Sequence, residues 1–168
     1  MDELDRKPAG EALSASHPVI LILDDVRSMH NVGSAFRTAD AFAASAIYLC
    51  GYTPVPPHRD IHKTALGATE TVPWQHFPAT TDAADAARKA GYKILAVEQA
   101  HNSIPLQQIS RYTNEPLALV FGNEVSGVNE DVLKIADGCI EIPQWGAKHS
   151  LNISVTVGVV LWEIVRAM

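Results

Sequence analysis

Gly138-Cys-Ile-Glu-Ile-Pro-Gln-Trp-Gly-Ala-Lys-His-Ser-Leu-Asn-Ile-Ser-Val155 is the stretch from which the rest of the chain can be read. It begins with a short apolar strand, Cys139 to Ile142, which Pro143 stops because proline has no N–H for a central ladder. Gly146 then permits backbone angles closed to other residues, so the chain must turn. The turn delivers Ser150 and Asn152 to the start of a long apolar segment, and Ser150 stands where a helix N-cap is expected, beside the orphan N–H groups that suit a polar ligand. The loop is built to present polar groups.

The apolar segment that follows carries two periods at once. Leu151, Ile153, Val155, Val157 and Val159 alternate as in a strand, but a run reaching Ala167 is too long for one, so length predicts a helix. Ser150, Ser154 and Gly158 then form a small-residue face that another backbone can approach. An apolar helix at this position, bearing Trp162 and Ile164, needs a covering surface, and a symmetric dimer supplies one.

Upstream, His17-Pro-Val-Ile-Leu-Ile-Leu23 is a continuous apolar run ended by Asp24-Asp25, the mark of a strand buried on both faces of a parallel sheet. A loop from Arg27 runs into a helix capped by Asn31 or Ser34, with Ala35, Phe36, Ala39 and Phe42 inward and Arg37 on its first turns. Ala46–Cys50 reads as a second strand, His58–Leu66 as a short helix, and Thr71–Phe77 as a further strand. Thr81–Ala90 is a helix that Gly91 ends, Tyr92–Val97 and Leu117–Phe121 are strands, and Asn129–Ala136 is a short helix. Strand and helix alternate throughout, which predicts an α/β three-layer domain around a mostly parallel sheet.

A hydrophobic fraction of 47% in 168 residues suffices for one well-buried domain. Met1–Ser16 shows no period and is expected to be a flexible tail, with the folded domain spanning 17–168. The first residues are polar, unlike a signal peptide, and Asn152, Ser154 and Thr156 interrupt the longest apolar run, so the expectation is a soluble cytoplasmic protein with no membrane span. Cys50 and Cys139 lie in apolar strands, a setting for reduced thiols. The net charge of −6 argues against holding nucleic acid by bulk electrostatics, so an RNA partner needs a local basic patch.

Three polar clusters each follow an apolar strand: Asn31/Gly33/Arg37, Gly122/Asn123/Glu124/Gly127 and Ser150/Asn152. Singly, Asn31 reads as a helix cap, Arg37 as half of a surface ion pair and Glu124 as a solvated turn. Together, at the carboxyl ends of strands in an open α/β sheet, they imply one shared crevice. No Gly-x-Gly-x-x-Gly fingerprint or phosphate loop occurs, so neither a nicotinamide cofactor nor a nucleoside triphosphate is signalled. His58 and His62 sit four apart with no third ligand indicated, which fits a surface helix better than a metal site. No metal is expected.

The three clusters resemble the three motifs of the SpoU (TrmH) family of RNA 2′-O-ribose methyltransferases. Asn31-Val-Gly-Ser-Ala-Phe-Arg37 is similar to the first, Phe121-Gly-Asn-Glu-Val-Ser-Gly127 to the second, and Ile142-Pro-Gln-Trp-Gly-Ala-Lys-His-Ser-Leu-Asn-Ile-Ser154 to the third. The likeness runs from His17 to the end. It implies a SPOUT-like fold with a C-terminal deep trefoil knot, S-adenosylmethionine as cofactor, and a homodimer whose site is shared between subunits. Motif position assigns cofactor binding to backbone around Val97, Gly122, Ile142 and Leu151. It assigns the catalytic and substrate-positioning set to Asn31, Arg37, Glu124, Ser150 and Asn152.

A guanidinium resists deprotonation, so Arg37 is expected to grip the adjacent phosphate and stabilise a developing alkoxide rather than act as a base. Arg27, His30, Arg37, Arg59, Lys63, Lys148 and His149 would supply the local basic patch. Val97-Glu-Gln99 and Ile142-Pro-Gln144 look most like enzymes acting on guanosine 18 in the tRNA D-loop, so tRNA is the leading expectation. Ribosomal RNA and the tRNA wobble position are the alternatives, and a non-catalytic RNA-binding module is the rival from another class.

Overall fold

The computed structural model describes residues 16–147 and 150–168; the tail expected over 1–16 falls almost wholly outside them, as do Lys148 and His149. Seven parallel strands make one sheet: β1 (His17–Asp24), β2 (Ala44–Cys50), β3 (Trp74–Phe77), β4 (Lys93–Val97), β5 (Ile104–Pro105), β6 (Leu117–Phe121) and β7 (Gly138–Glu141). Their spatial order is β3-β2-β1-β6-β4-β7-β5. The chain winds outward from β1 through β2 to β3; in its second half β5 takes the far edge before β6 returns to the centre beside β1 and β7 fits between β4 and β5. The central strands end side by side, with Leu23 registered on Phe121 and Val97 on the same Phe121.

The alternation along β1 explains the layering. Val19, Leu21 and Leu23 face one side and pack with Val32, Phe36, Val157 and Leu161; Ile20 and Ile22 face the other and pack with Ala83, Ala87 and Val132. A strand buried on both faces has no polar side to offer water, which is why its sequence is apolar without interruption. On the first side lie α1 (Met29–Ala41), α2 (Arg59–Ala65), a short α3 (Ala68–Thr71), a 3-10 helix (Leu106–Arg111) and α6 (Ile153–Ala167). On the second lie α4 (Thr80–Lys89) and α5 (Glu130–Ile135). The three-layer α/β arrangement read from the sequence is the one observed.

Four local expectations need correction. Neither Asn31 nor Ser34 caps α1: Ser28 does, its hydroxyl accepting the Asn31 N–H at 3.2 Å, so the helix starts earlier and Arg37 lies well inside it. Ser150 does not cap α6 either; Asn152 does, two residues later. The strand expected over Thr71–Phe77 is only its second half, because Ala68–Thr71 is helical. The stretch between the strands ending at Val97 and starting at Leu117, to which the sequence reading assigns no element, contains the two-residue edge strand β5, where Pro105 is tolerated, and the 3-10 helix.

Both cysteines are free. Burial pushes the Cys50 thiol up to about 12, with the nearby Asp24 and Asp25 charges adding to it against a lowering hydrogen bond from Thr80. His58 is the N-cap of α2, its Nδ1 accepting the Asp60 N–H at 3.1 Å, which gives this histidine a structural role without a metal.

Candidate active site

The loops that leave β4, β6 and β7 converge with the start of α6 around one cleft of about 430 Å³, within the range of small-molecule sites. Val97, Gly122, Ile142 and Leu151, the four positions expected to bind cofactor, all line it, as do Glu124, Ser150 and Asn152. Residues far apart in sequence thus meet because β4 and β6 are neighbours and β7 adds beyond β4. This is the crevice at the carboxyl ends of parallel strands where α/β folds bind ligands.

Two glycines let the β6 loop close. Asn123 and Gly127 exchange backbone hydrogen bonds at 3.0 and 2.9 Å, folding the loop back onto Gly122. A Cβ on Gly122 would lie 2.1 Å from the Gly127 carbonyl carbon and 2.2 Å from the Val128 nitrogen. Gly127 itself has φ +71, a left-handed angle, and a Cβ there would meet Glu98 Oε2 at 2.3 Å.

Glu124, on that loop, ties it to the first motif. Its carboxylate accepts the Arg27 and Ser28 N–H groups at 3.2 and 3.3 Å and the Asn31 side-chain amide at 3.1 Å. Partial burial by itself would raise the Glu124 carboxyl. Hydrogen bonds from its own N–H, Asn31, Arg27 and Ser28 outweigh that and hold it below the usual range. Asn123 reinforces the junction, its Nδ2 donating to the Asp25 carbonyl at 2.6 Å. Asn31 is therefore at the rim of the cleft, held through Glu124.

Asn152 has two parts. Its Oδ1 accepts the Ser154 N–H at 2.8 Å and the Ser154 hydroxyl at 2.6 Å, which fixes the start of α6. Its Nδ2 has no hydrogen-bond partner among the described residues. Two of the expected residues do not line the cleft: Asn31, which joins it only through Glu124, and Arg37, which is exposed on α1 and has no ion-pair partner among the described residues. Of the expected basic patch, Arg59 and Lys63 both engage Asp60 on α2.

Sequence reasoning missed Glu98 and Glu141. Glu98 accepts the Gln99 and Val128 N–H groups at 2.9 and 3.0 Å, and Glu141 accepts the Ser103 hydroxyl at 2.8 Å. With Glu124 they make three carboxylates among the lining residues described, alongside the apolar Val97, Phe121, Ile142 and Leu151 and no lysine or arginine. Such a lining suits a ligand that is part apolar and part cationic and disfavours one carrying phosphates. A sulfonium cofactor meets that description.

A parallel α/β sheet with one acidic, glycine-shaped cleft at its carboxyl edge, flanked by an Asn–Glu clasp, defines a small-molecule-binding class of α/β protein. Within that class the chain belongs to the SpoU rRNA Methylase family, which it matches over residues 18–162. It is 35% identical over 167 residues to a protein of Haemophilus influenzae named 23S rRNA (guanosine-2′-O-)-methyltransferase RlmB, covering 98% of this chain and 66% of that one. Among solved structures it is similar to the AdoMet-bound rRNA methyltransferase of Sinorhizobium meliloti (TM-score 0.82, 30% identity, 90% of this chain and 57% of the other). It is also similar to the TrmH/SpoU tRNA modifying enzyme of A. aeolicus (TM-score 0.80, 26% identity, 90% and 76%). The chain thus spans somewhat less than two thirds of the Haemophilus and Sinorhizobium proteins. No helix among the described residues is long and apolar enough to cross a membrane.

Proposed function

We propose that this chain is the methyl-transferring module of an S-adenosylmethionine-dependent RNA ribose 2′-O-methyltransferase, with a guanosine of ribosomal RNA as its target. The observation that carries the reading is the convergence of the motif loops on one cleft whose carboxylates and apolar walls suit a sulfonium. The ribosomal preference rests on the 35% identity to the Haemophilus 23S rRNA enzyme against 26% to the A. aeolicus tRNA enzyme. It displaces the tRNA D-loop guanosine that the sequence motifs favoured.

The cofactor, when bound, supplies an electrophilic methyl group. Backbone around Val97, Gly122, Ile142 and Leu151 holds it, and the Gly122–Gly127 turn keeps that backbone in place. Asn152 Nδ2 and the Ser150 hydroxyl orient the ribose, while Glu124 holds Asn31 at the rim where the substrate enters. The 2′-hydroxyl loses its proton to a phosphate or to water, since a guanidinium cannot serve as the base.

Arg37 completes the site from a second copy of the chain. Val155, Val159 and Trp162 form an exposed apolar stripe along α6, and Trp162 meets Phe42, at the end of α1, edge to face with ring centroids 6.4 Å apart. A second subunit seated on this face carries its own α1, and its Arg37 grips the phosphate beside the target and stabilises the alkoxide. The knot implied by the family belongs to the same reading, since it would lock the 142–152 loop against the β6 loop.

The test is transfer of labelled methyl from S-adenosylmethionine to ribosomal RNA and, separately, to tRNA from a strain lacking the protein, followed by nucleoside analysis. Labelled 2′-O-methylguanosine from the ribosomal pool is expected. Label only in tRNA would overturn the substrate, and label in neither pool, with cofactor binding demonstrated, would favour the non-catalytic module.

A further inference from the structure

Trp145 is 87% exposed, an unusual setting for an indole, and it makes no contribution to either core cluster. It directly follows Gln144, which lines the cleft, and it is positioned between Pro143 and Gly146 on the loop leaving β7. Val125, 96% exposed at the tip of the Asn123–Gly127 turn, belongs to the lining of the same cleft. Two loops that border the cleft therefore each carry an open apolar group. This patch differs from the α6 stripe, which is continuous along one helix and suits a protein partner.

We propose that the Trp145 indole is a stacking platform for an unpaired nucleobase of the RNA substrate at the mouth of the cleft. The inference rests on the RNA methyltransferase reading given above. Three carboxylates inside the cleft repel phosphates, so the RNA backbone stays outside and only the sugar edge of one nucleotide enters. A base still attached to that backbone then lies over the rim, where among the described residues the exposed indole offers an aromatic face. Stacking of bases on exposed aromatic side chains is the usual way in which proteins take up unpaired RNA, and it is tolerant of sequence. A paired base cannot offer its face, so Trp145 selects for loops and bulges over duplex.

The experiment compares the full wild-type chain with Trp145→Ala and Trp145→Phe. The probes are an RNA hairpin with guanosines in its loop, a fully paired duplex of the same composition, and an unmodified 23S rRNA transcript. RNA affinity is measured by anisotropy, methyl transfer by labelled cofactor, S-adenosylmethionine affinity by calorimetry and subunit state by sedimentation. Trp145→Ala is expected to lose about 5- to 150-fold in hairpin affinity, the range of one stacked base. Duplex and cofactor affinity and the subunit state should stay as in wild type, and Trp145→Phe should recover most of the loss. Hairpin affinity unchanged within about twofold, well below the loss of one stacked base, an equal loss on hairpin and duplex, or a shift in subunit state would each overturn the stacking role. Wild type that binds the hairpin but methylates no RNA would refute the functional reading and leave the stacking comparison decisive; wild type that binds no RNA refutes both.

Discussion

The Glu124 carboxylate accepts a hydrogen bond from the Asn31 side chain at 3.1 Å across 93 positions of sequence, and with the Arg27 and Ser28 N–H groups it clasps two motif loops together. Because the contact depends on a charge, its stability contribution has a direction in pH. The folded carboxyl is held below the usual range, so the contribution is complete above the ordinary carboxyl value and is lost as the pH falls through the lowered one. Glu124→Gln keeps the shape and removes the charge. The stability difference between wild type and variant, measured by urea unfolding, should be constant from about pH 8 to about pH 5 and shrink below about pH 4. An unchanging difference into acid would show that the clasp is not ionic.

Gly122→Ala places a Cβ against two backbone atoms rather than against a movable side chain. Something in the 122–128 turn must shift, at a cost on the order of 1–3 kcal/mol for overpacking. The turn forms one wall of the cleft, so cofactor affinity should fall by at least about tenfold, which corresponds to about 1.4 kcal/mol. Calorimetric titration with S-adenosylmethionine beside a thermal melt checks both effects. Gly146→Ala is the control, since its Cβ would meet nothing within 4 Å and, contrary to the sequence expectation, its φ is not in the left-handed region.

Asn152 separates folding from function by atom. Asn152→Ala loses the cap on Ser154 and should cost about 1 kcal/mol, the typical effect of cap removal. Asn152→Asp retains a capping oxygen but not the Nδ2 donor. Its melting temperature should stay near wild type while methyl transfer falls by about 10²-fold or more, the cost of one oriented donor at a reacting centre. If Asn152→Asp transferred methyl normally, the residue would be a cap and nothing more.

The elements were legible from the sequence where the signal was local or two-sided. β1 is buried on both faces and therefore uninterrupted; Asn129 and Ala136 bracket α5; Gly91 follows the end of α4 in the left-handed region. The site was legible as three motifs, and their family resemblance left Glu124 to hold either its own loop or Asn31. Nothing local to Asn31 marks Glu124 as its partner, because that pairing exists only once β1 and β6 lie side by side. The start of α6 was misplaced for a related reason. Ser150 and Asn152 are equally good caps, and Leu151 between them fits the apolar period. In the structure Leu151 lines the cleft, so the loop keeps it and the helix begins after Asn152. Glu98 stood out only within Val97-Glu-Gln99 as a cue to the substrate, and Glu141 not at all, since their significance is a shared sign of charge around one cavity.

Arg37 and the α6 stripe make the last prediction, because the proposed function has the site completed by a second subunit. Val159 is 40% exposed on the stripe and belongs to neither buried cluster, so Val159→Asp should leave the fold intact and split the dimer. Sedimentation would show a monomer that is still folded, and methyl transfer should be lost with the dimer. Arg37→Ala acts differently: being exposed, it should change stability by less than about 0.5 kcal/mol and keep the dimer, yet reduce transfer by about 10²- to 10³-fold. Mixing inactive Arg37→Ala subunits with inactive Asn152→Ala subunits then decides where the arginine works. If each site takes Arg37 from one subunit and Asn152 from the other, a mixed dimer holds one site in which both residues are intact and one in which both are lost, so activity should return on mixing. If both residues served the same chain's site, each site of the mixed dimer would lack one of them, and the mixture would stay as inactive as its parts.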